Sequence, residues 1–563
     1  MPAPFFPQSR ACPLPRLSAL GGLVLVIGLL TASPGLAADE AASATPVQPP
    51  ATAIPSPQAA LERGMALQKA GETQAAIAAY QQALKIDPDH GPTHYELGWS
   101  YWVLNQWAEV VAHWEKALAL GVRHPALRAY LKQARERLAG KGADVIRVAI
   151  GTSAVATRPL DGAPGRLRLR LAVRFQNNNP RPLDPHDHFD RYVFSPKSAR
   201  FSLDGAKVYV NALEGFSTLV YAARNWRRLG RIEHRFGPAE AALFAGEAGP
   251  AWLDFPPEAG IRAPNQFAGK PVESALSPDG RILWVPYYRR SFDEFARLPS
   301  AVALIDTTTD AIVRVMDTGP IPKYVAVSPD GRRVAITHWG DNTVGLIDSS
   351  ATDPADYRRL ALITVGRRPD LRQMQDTDRD HNCGFCLRGT VFTRDGRYLL
   401  VGRMGGGGIA VIDVAAMRYL RTVYGMPPTP RHLVLSAGGT RLYVSTSASG
   451  SVALFDTDAI VQAALSGRKA VKPLAITYAG LATRTIALSH DERYLFVTVN
   501  RESRLVVLDA ASLRPLLRIP ADSYPVGLAV APDDSQIWVT AQGRERHGGN
   551  SITVYTLEHV TEP

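Results

Sequence analysis

Cysteine is scarce in this chain, three residues in 563, which excludes a disulfide-dense scaffold. Charged residues make up only 20% against 46% apolar, so the chain is neither a disordered polyelectrolyte nor a collagen-like fibre. Acidic side chains are outnumbered, 52 against 63 Lys and Arg, for a formal charge of +11. That balance suits acidic partners and says nothing about fold. There is no Walker loop, no Gly-x-Ser-x-Gly elbow, no His-Glu-x-x-His pair and no recognised nucleic-acid-binding motif. Residues 405–408 are all glycine, but they join two β runs rather than a strand and a helix. They suit close backbone packing better than a phosphate cradle.

Long apolar runs are missing as well, with one exception. Residues 17–30 are apolar apart from Ser and Gly, follow Arg10 and Arg16, and precede a small-residue stretch ending at Ala37. This pattern reads as a signal peptide over 1–37, cleaved near Ala37. The run is short for a membrane span of about 20 residues, which makes an uncleaved anchor the weaker alternative. Cys12 precedes the run and so is not a lipidation site. The expectation is export to an oxidising compartment, the periplasm in a Gram-negative cell, with no transmembrane segment after cleavage. Residues 38–57, rich in Ala, Pro, Ser and Thr, read as a flexible linker.

What is present is repetition at two periods. Over residues 57–124, Gly64, Ala76, Tyr80, Ala83 and Pro88 are followed at the matching offsets by Leu97, Gly98, Tyr101, Trp114 and Ala117. Small residues admit a second helix closely and aromatics fill the space between. The stretch resembles the tetratricopeptide-repeat (TPR) family, which implies a helical module over 58–140 that contacts a protein partner. Trp99, Trp102 and Trp107 are candidate anchors for that partner; packing within the repeat is the competing reading.

From residue 194 a second unit recurs seven times: PKSARFSLDG (196–205), PVESALSPDG (271–280), PKYVAVSPDG (322–331), LRGTVFTRDG (387–396), PRHLVLSAGG (430–439), TRTIALSHDE (483–492) and PVGLAVAPDD (525–534). Each precedes a β run and then a second, such as VALID (302–306) or VGLID (344–348). Strand, turn, strand, turn, strand at about 40–45 residues is one propeller blade. The last copy lacks an outer strand. Residues 166–176, alternating Arg with Leu, can supply it and join the ring's ends, as part of a connecting β segment over 141–193. The repeats resemble the YVTN-type seven-bladed propellers. The expected architecture is therefore a multidomain α + all-β chain, a short TPR module and a seven-bladed propeller of four-stranded blades over 194–563. That fold hosts lactonases, haem-binding units and pure binding modules, so the resemblance implies fold rather than activity.

The longest insertions, 177–195, 237–270, 287–299 and 366–386, fall on one face of the disc, the top. At the top of the innermost strands, the second residue of each copy is Lys197, Val272, Lys323, Arg388, Arg431, Arg484 or Val526. Five cations in seven places is far above expectation, since 63 Lys and Arg in 563 residues should fill fewer than one. Tyr287, His338 and Arg403 share a register on the second strands of blades two to four. Cations packed together repel, so the expectation is an anion site at the channel mouth, for an anionic small molecule or an acidic partner. Side chains holding nearby carbonyls or carboxylates are the competing reading.

Two top loops carry metal-ligand residue types: His186 and His188 before blade one, and Asp376, Asp378, Asp380, His381, Cys383 and Cys386 before blade four. Leu387 stands where covalent haem attachment would need His. The calcium-loop match lacks glycine at its sixth place and glutamate at its twelfth. Cys383 and Cys386 are a disulfide candidate, with a metal site or redox pair as alternatives. The main expectation is an exported scaffold that needs no cofactor, leaning away from enzymatic activity. The alternative is an enzyme or redox carrier: a lactonase-like hydrolase, or an oxidoreductase holding zinc, copper or non-covalent haem.

Overall fold

The computed structural model describes residues 56–561 apart from 70–72, 105, 123–126, 139–149, 162, 164, 247–248, 256–259, 375–376, 381 and 544–548. The leader read over 1–37 and nearly all of the linker lie outside the described residues, as do Asp376 and His381. The chain divides into two compact units after Leu131.

In the first unit, α1 (Pro57–Lys69) pairs with α2 (Thr73–Ile86), and α3 (Gly91–Val103) with α4 (Trp107–Ala119). The two hairpins share one device. A Cβ on Gly64 would stand 2.3 Å from the Tyr80 ring, and one on Gly98 would stand 2.2 Å from the Trp114 indole. Each helix thus reaches its partner only where a side chain is missing. Both aromatics are fully buried, and Trp114 Nε1 donates to the Tyr95 carbonyl at 3.1 Å. Trp99 and Trp102 pack on Trp114 at centroid distances of 4.9 and 5.3 Å, and Trp107 meets Trp102 at 5.1 Å. These tryptophans remain half-buried. α5 (Leu127–Leu138) follows, with Leu127, Leu131 and Ala134 buried.

The second unit is a seven-bladed propeller. Its blades are made by the turn chemistry of the repeat. In blade one, Ser202 Oγ donates to Asp204 at 2.6 Å, and the same carboxylate accepts from the Ala206 amide at 3.0 Å. Blades three, four and six repeat the arrangement around Asp330, Asp395 and Asp491. Gly205, Gly331 and Gly396 then take positive φ between 70 and 74°, the region open to glycine at no steric cost. The following strands are rich in Val, Ile and Leu and buried on both faces, because each blade is covered by its neighbours.

The ring closes by pairing distant parts of the chain. The strand Arg166–Gln176 lies antiparallel to Ser551–Val560, from Arg166 opposite Val560 to Gln176 opposite Ser551, and so is the outer partner in blade seven. A clasp reinforces it. Arg174 Nε reaches the fully buried Asp522 at 2.9 Å and its Nη1 reaches Asp187 at 2.9 Å. Asp522 also accepts from the Gly549 amide at 2.9 Å and from Ser551 Oγ at 2.5 Å.

Candidate functional site

The innermost strands neighbour one another around the axis, and each breaks register at the same place. In blade one Pro196 faces Ala212 and Ser198 faces Asn211, so Lys197 is an extra residue. Lys323 in blade three and Arg431 in blade five are extra in the same way. In blades four and six the skip covers Arg388 with Gly389 and Arg484 with Thr485. A bulged residue leaves the ladder and re-aims its side chain. The residue before the inner strand has left-handed φ in every blade but the second: Ser195 52°, Ile321 50°, Cys386 51°, Thr429 59°, Ala482 59° and Tyr524 61°. None is glycine, so each costs about 1–2 kcal/mol, held by the surrounding packing.

The bulge also frees the extra residue's carbonyl, and the neighbouring blade takes it. Thr337 Oγ1 donates to the Arg388 carbonyl at 2.9 Å, Ser445 Oγ to that of Arg484 at 2.6 Å, and Thr540 Oγ1 to that of Lys197 at 3.3 Å. Asn211 Nδ2 does the same for Glu273 at 3.1 Å. Side chains from different blades are thereby fixed around one channel.

Lys197, Lys323, Arg388, Arg431 and Arg484 do converge. The amine of Lys197 feels the positive charge of Arg484, Arg388, Lys323 and Arg431, and burial together with these neighbours pushes its pKa well down. Lys323 falls from 10.5 to about 7, mainly through burial and only partly offset by Asp380. Arg484 is lowered by burial and by Arg388 to about 10, so it stays charged at neutral pH. Arg431 is pushed down by burial and by Arg484, but its delocalised guanidinium keeps its proton. The ring is thus an arginine ring with two lysines that burial, more than the charge of their neighbours, drives toward the neutral amine.

Four partners were not anticipated. Glu273, one residue after Val272 in blade two, sits 3.2 Å from Arg388. Asp380, from the long loop before blade four, reaches Lys323 Nζ at 3.1 Å, while Tyr288 lies 3.9 Å beneath the same amine. The Tyr524 ring centroid lies 5.6 Å from the Arg484 guanidinium, and its hydroxyl hydrogen-bonds that side chain. Glu273 had a signal in the sequence, an acid beside the ring register. Asp380 had only an Asp run that suggested calcium. Next along the inner strands, Tyr324 OH and His432 Nε2 share a hydrogen bond of 2.8 Å between blades three and five. Burial, Arg388 and Arg200 hold His432 neutral, its pKa near 3.

Tyr287, His338 and Arg403 do not join the ring. Tyr287 OH bonds His234 Nδ1 at 2.9 Å. His338 bonds Thr343 Oγ1 at 2.8 Å and accepts from the Gly319 amide at 3.1 Å. Arg403 donates to Thr422 Oγ1 at 2.6 Å with its guanidinium 3.9 Å from the Phe385 ring centroid. Their shared register sends them into the blades, where each finds a partner, although Arg403 Nε stays buried without one.

The metal-ligand residue types are likewise dispersed. His186 bonds Asp184 of its own loop at 3.1 Å, and the His188 ring lies against Phe175. Cys383 and Cys386 are joined in a disulfide, which leaves no thiolate for a metal. Among the described residues no three His, Cys, Asp or Glu side chains form a metal-binding group. Apart from Tyr288, the side chains described from the insertions 237–270 and 287–299 pack within and between blades. Trp252 fills the space above Gly345, Arg359 Nε donates to the Pro250 carbonyl at 3.0 Å, and the buried Arg290 pairs with Asp317. Beside the ring, a cavity of about 440 Å³ opens over blades five and six. Arg431, Arg484, Tyr524, Asn500 and Arg501 line it together with Met404 and Leu481. Its size suits a small molecule.

Residues 275–561 match a family described as lactonase, seven-bladed β-propeller, and residues 57–90 match the tetratricopeptide repeat. No curated protein matches the sequence. Among solved structures, the chain is similar to the hydrazine synthase of Kuenenia stuttgartiensis, with 16% identity and a TM-score of 0.44 over 65% of this chain and 96% of that one. It is similar to a β-propeller domain from Myceliophteria thermophila, with 13% identity and a TM-score of 0.45 over 64% and 96%. A functionally unknown protein from Desulfotomaculum acetoxidans gives 14% identity and 0.42 over 58% and 86%.

Proposed function

For this chain, which belongs to the lactonase family of seven-bladed β-propellers, we propose an exported scaffold that binds an anionic ligand at the top of the propeller and a protein partner through its TPR module. The observation that carries the anion site is the convergence of Arg388, Arg431 and Arg484 on one channel with a single described acid, Glu273, paired to one of them. Guanidinium groups held this close repel at a cost that an anion removes. The cavity beside Arg431 and Arg484 gives the ligand room. Export is supported by the leader-like first 37 residues and by the Cys383–Cys386 disulfide, a bond favoured in oxidising compartments.

Calorimetric titration with inorganic phosphate and with citrate tests the site. Arg431→Ala combined with Arg484→Ala should lower affinity more than about tenfold, since losing a buried charge-assisted contact costs at least about 2 kcal/mol. It should also flatten the salt dependence. Unchanged affinity would remove the reading. Co-purification with the isolated chain as bait tests the TPR partner.

A second reading, lactone hydrolysis, is favoured by one observation. Glu273, paired to Arg388, stands near the Tyr324–His432 pair, which puts a carboxylate and a neutral imidazole beside anion-stabilising arginines. Proton release from simple lactones, measured by pH-stat, should be lost in Glu273→Gln while phosphate binding persists. No release above background excludes hydrolysis of those substrates.

A further inference from the structure

The cavity over blades five and six is lined by charge of one sign and by apolar groups. Arg431, Arg484 and Arg501 supply the charge, and among the described residues no acidic side chain lines it. Glu273 contacts Arg388 at 3.2 Å, and neither of those two belongs to the lining. Among the described residues, the Arg431 guanidinium makes a single hydrogen bond, to Met404 Sδ at 3.6 Å. A thioether is a weak acceptor, so this cation keeps its donors for a better one. The bulge between Pro430 and His432 fixes its backbone.

Met404, Ala448, Leu481 and Ala482 are the apolar part of the lining. Leu481 is 53% exposed, yet its backbone is pinned. Its amide donates to Glu502 at 2.7 Å, and its carbonyl accepts from the Arg501 amide at 3.3 Å. The neutral polar side chains of the lining are already engaged. Thr429 Oγ1 donates to the Pro428 carbonyl at 2.7 Å and accepts from the Ala448 amide at 2.6 Å. Ser447 Oγ donates to the Thr483 carbonyl at 2.9 Å, and Asn500 Nδ2 to that of Pro525 at 2.8 Å. The Tyr524 hydroxyl is bonded to Arg484.

We infer that the anion this cavity takes is a monocarboxylate with an apolar chain or ring, in preference to a sugar acid. This preference rests on the anion site proposed above. The carboxylate pairs with the Arg431 guanidinium through charge-assisted hydrogen bonds. The rest of the molecule leaves water against Leu481 and Met404, whose flexible thioether adapts to irregular shapes. A sugar acid of equal charge must strip water from several hydroxyls. Those hydroxyls would meet methyl groups and side chains bonded elsewhere, and a buried hydroxyl without a partner is costly.

Calorimetric titration of the full chain with octanoate, gluconate and octanamide tests this. Gluconate keeps the carboxylate and replaces the apolar chain by a hydroxylated one. Octanamide keeps the chain and loses the charge. Octanoate should bind at least about tenfold tighter than either, through apolar burial in the first comparison and the Arg431 pair in the second. Met404→Gln combined with Leu481→Gln should bring octanoate down to the level of gluconate. Gluconate bound as tightly as octanoate, or phosphate bound where octanoate is not, overturns the preference and leaves the anion site standing. Octanamide bound as tightly as octanoate overturns the part given to the carboxylate. No binding by any of these acids, nor by phosphate or citrate, removes the anion site as well. The comparison on the wild-type chain decides the question even if the variant fails to fold.

Discussion

Lys323 shows how position rewrites a residue's chemistry. Its amine has an ordinary pKa of 10.5 when unfolded and about 7 in the propeller, chiefly because burial penalises the charged form. Between these values the unfolded chain binds the extra proton, so stability rises with pH from about 7 toward 10.5, by up to about 1.4 kcal/mol per pH unit. Urea unfolding at stepped pH should show this rise, and Lys323→Met should flatten it. A bound anion would draw the proton back. Anion affinity should therefore weaken as pH climbs through 7, measured by titration in buffers of different pH. Lys323 as a ring member was legible in the sequence from its register. Its altered charge was not, because desolvation depends on what the other blades place around it.

Elements here are specified by gaps as much as by side chains. Gly98 admits the Trp114 indole, and a methyl group there would stand 2.2 Å from it. Gly98→Ala should cost about 1–3 kcal/mol by overpacking, seen as a lower first transition in helical circular dichroism. The α3–α4 pair also holds His94 Nδ1 against His113 Nδ1 at 2.8 Å, with His94 Nε2 at 3.0 Å from the Pro88 carbonyl. Burial and His94 lower the His113 pKa from 6.5 to about 4. Its contribution is intact above 6.5 and is lost as pH falls toward 4. His113→Phe should make that transition less sensitive to acid. The 34-residue period was readable because each helix pair repeats one small-to-large contact. Whether the tryptophans were anchors or packing was not, and the structure shows Trp99, Trp102 and Trp107 in one cluster with Trp114, mostly edge to face.

On the largest scale, closure ties the start of the propeller to its last blade. Arg174 neutralises Asp522, which has no solvent exposure, across 348 residues of chain. Arg174→Ala leaves that carboxylate buried and unpaired, at a cost of about 3–5 kcal/mol. Thermal unfolding should show the loss, while Arg170→Ala, whose pair with Glu558 is exposed, should change stability by less than about 1 kcal/mol. Acid acts on the whole ring as well. His234, His338 and His432 are buried neutral, each near 3 rather than 6.5. Each removes up to about 1.4 kcal/mol of stability per pH unit as pH falls from 6.5 toward 3.

The sequence by itself determined the number of blades, the helix pairs and the strand that could complete the ring, because turn chemistry and alternation are local and recur with the repeat. It also marked the inner-strand height at which Lys197, Lys323, Arg388, Arg431 and Arg484 stand. Only the tertiary structure decided which register faces the axis. One extra residue per inner strand turns those five into the channel, while Tyr287, His338 and Arg403 point into their blades. It alone brought Glu273 and Asp380 to two of the five. Those juxtapositions join residues from different blades, and no local pattern encodes a distance across the ring.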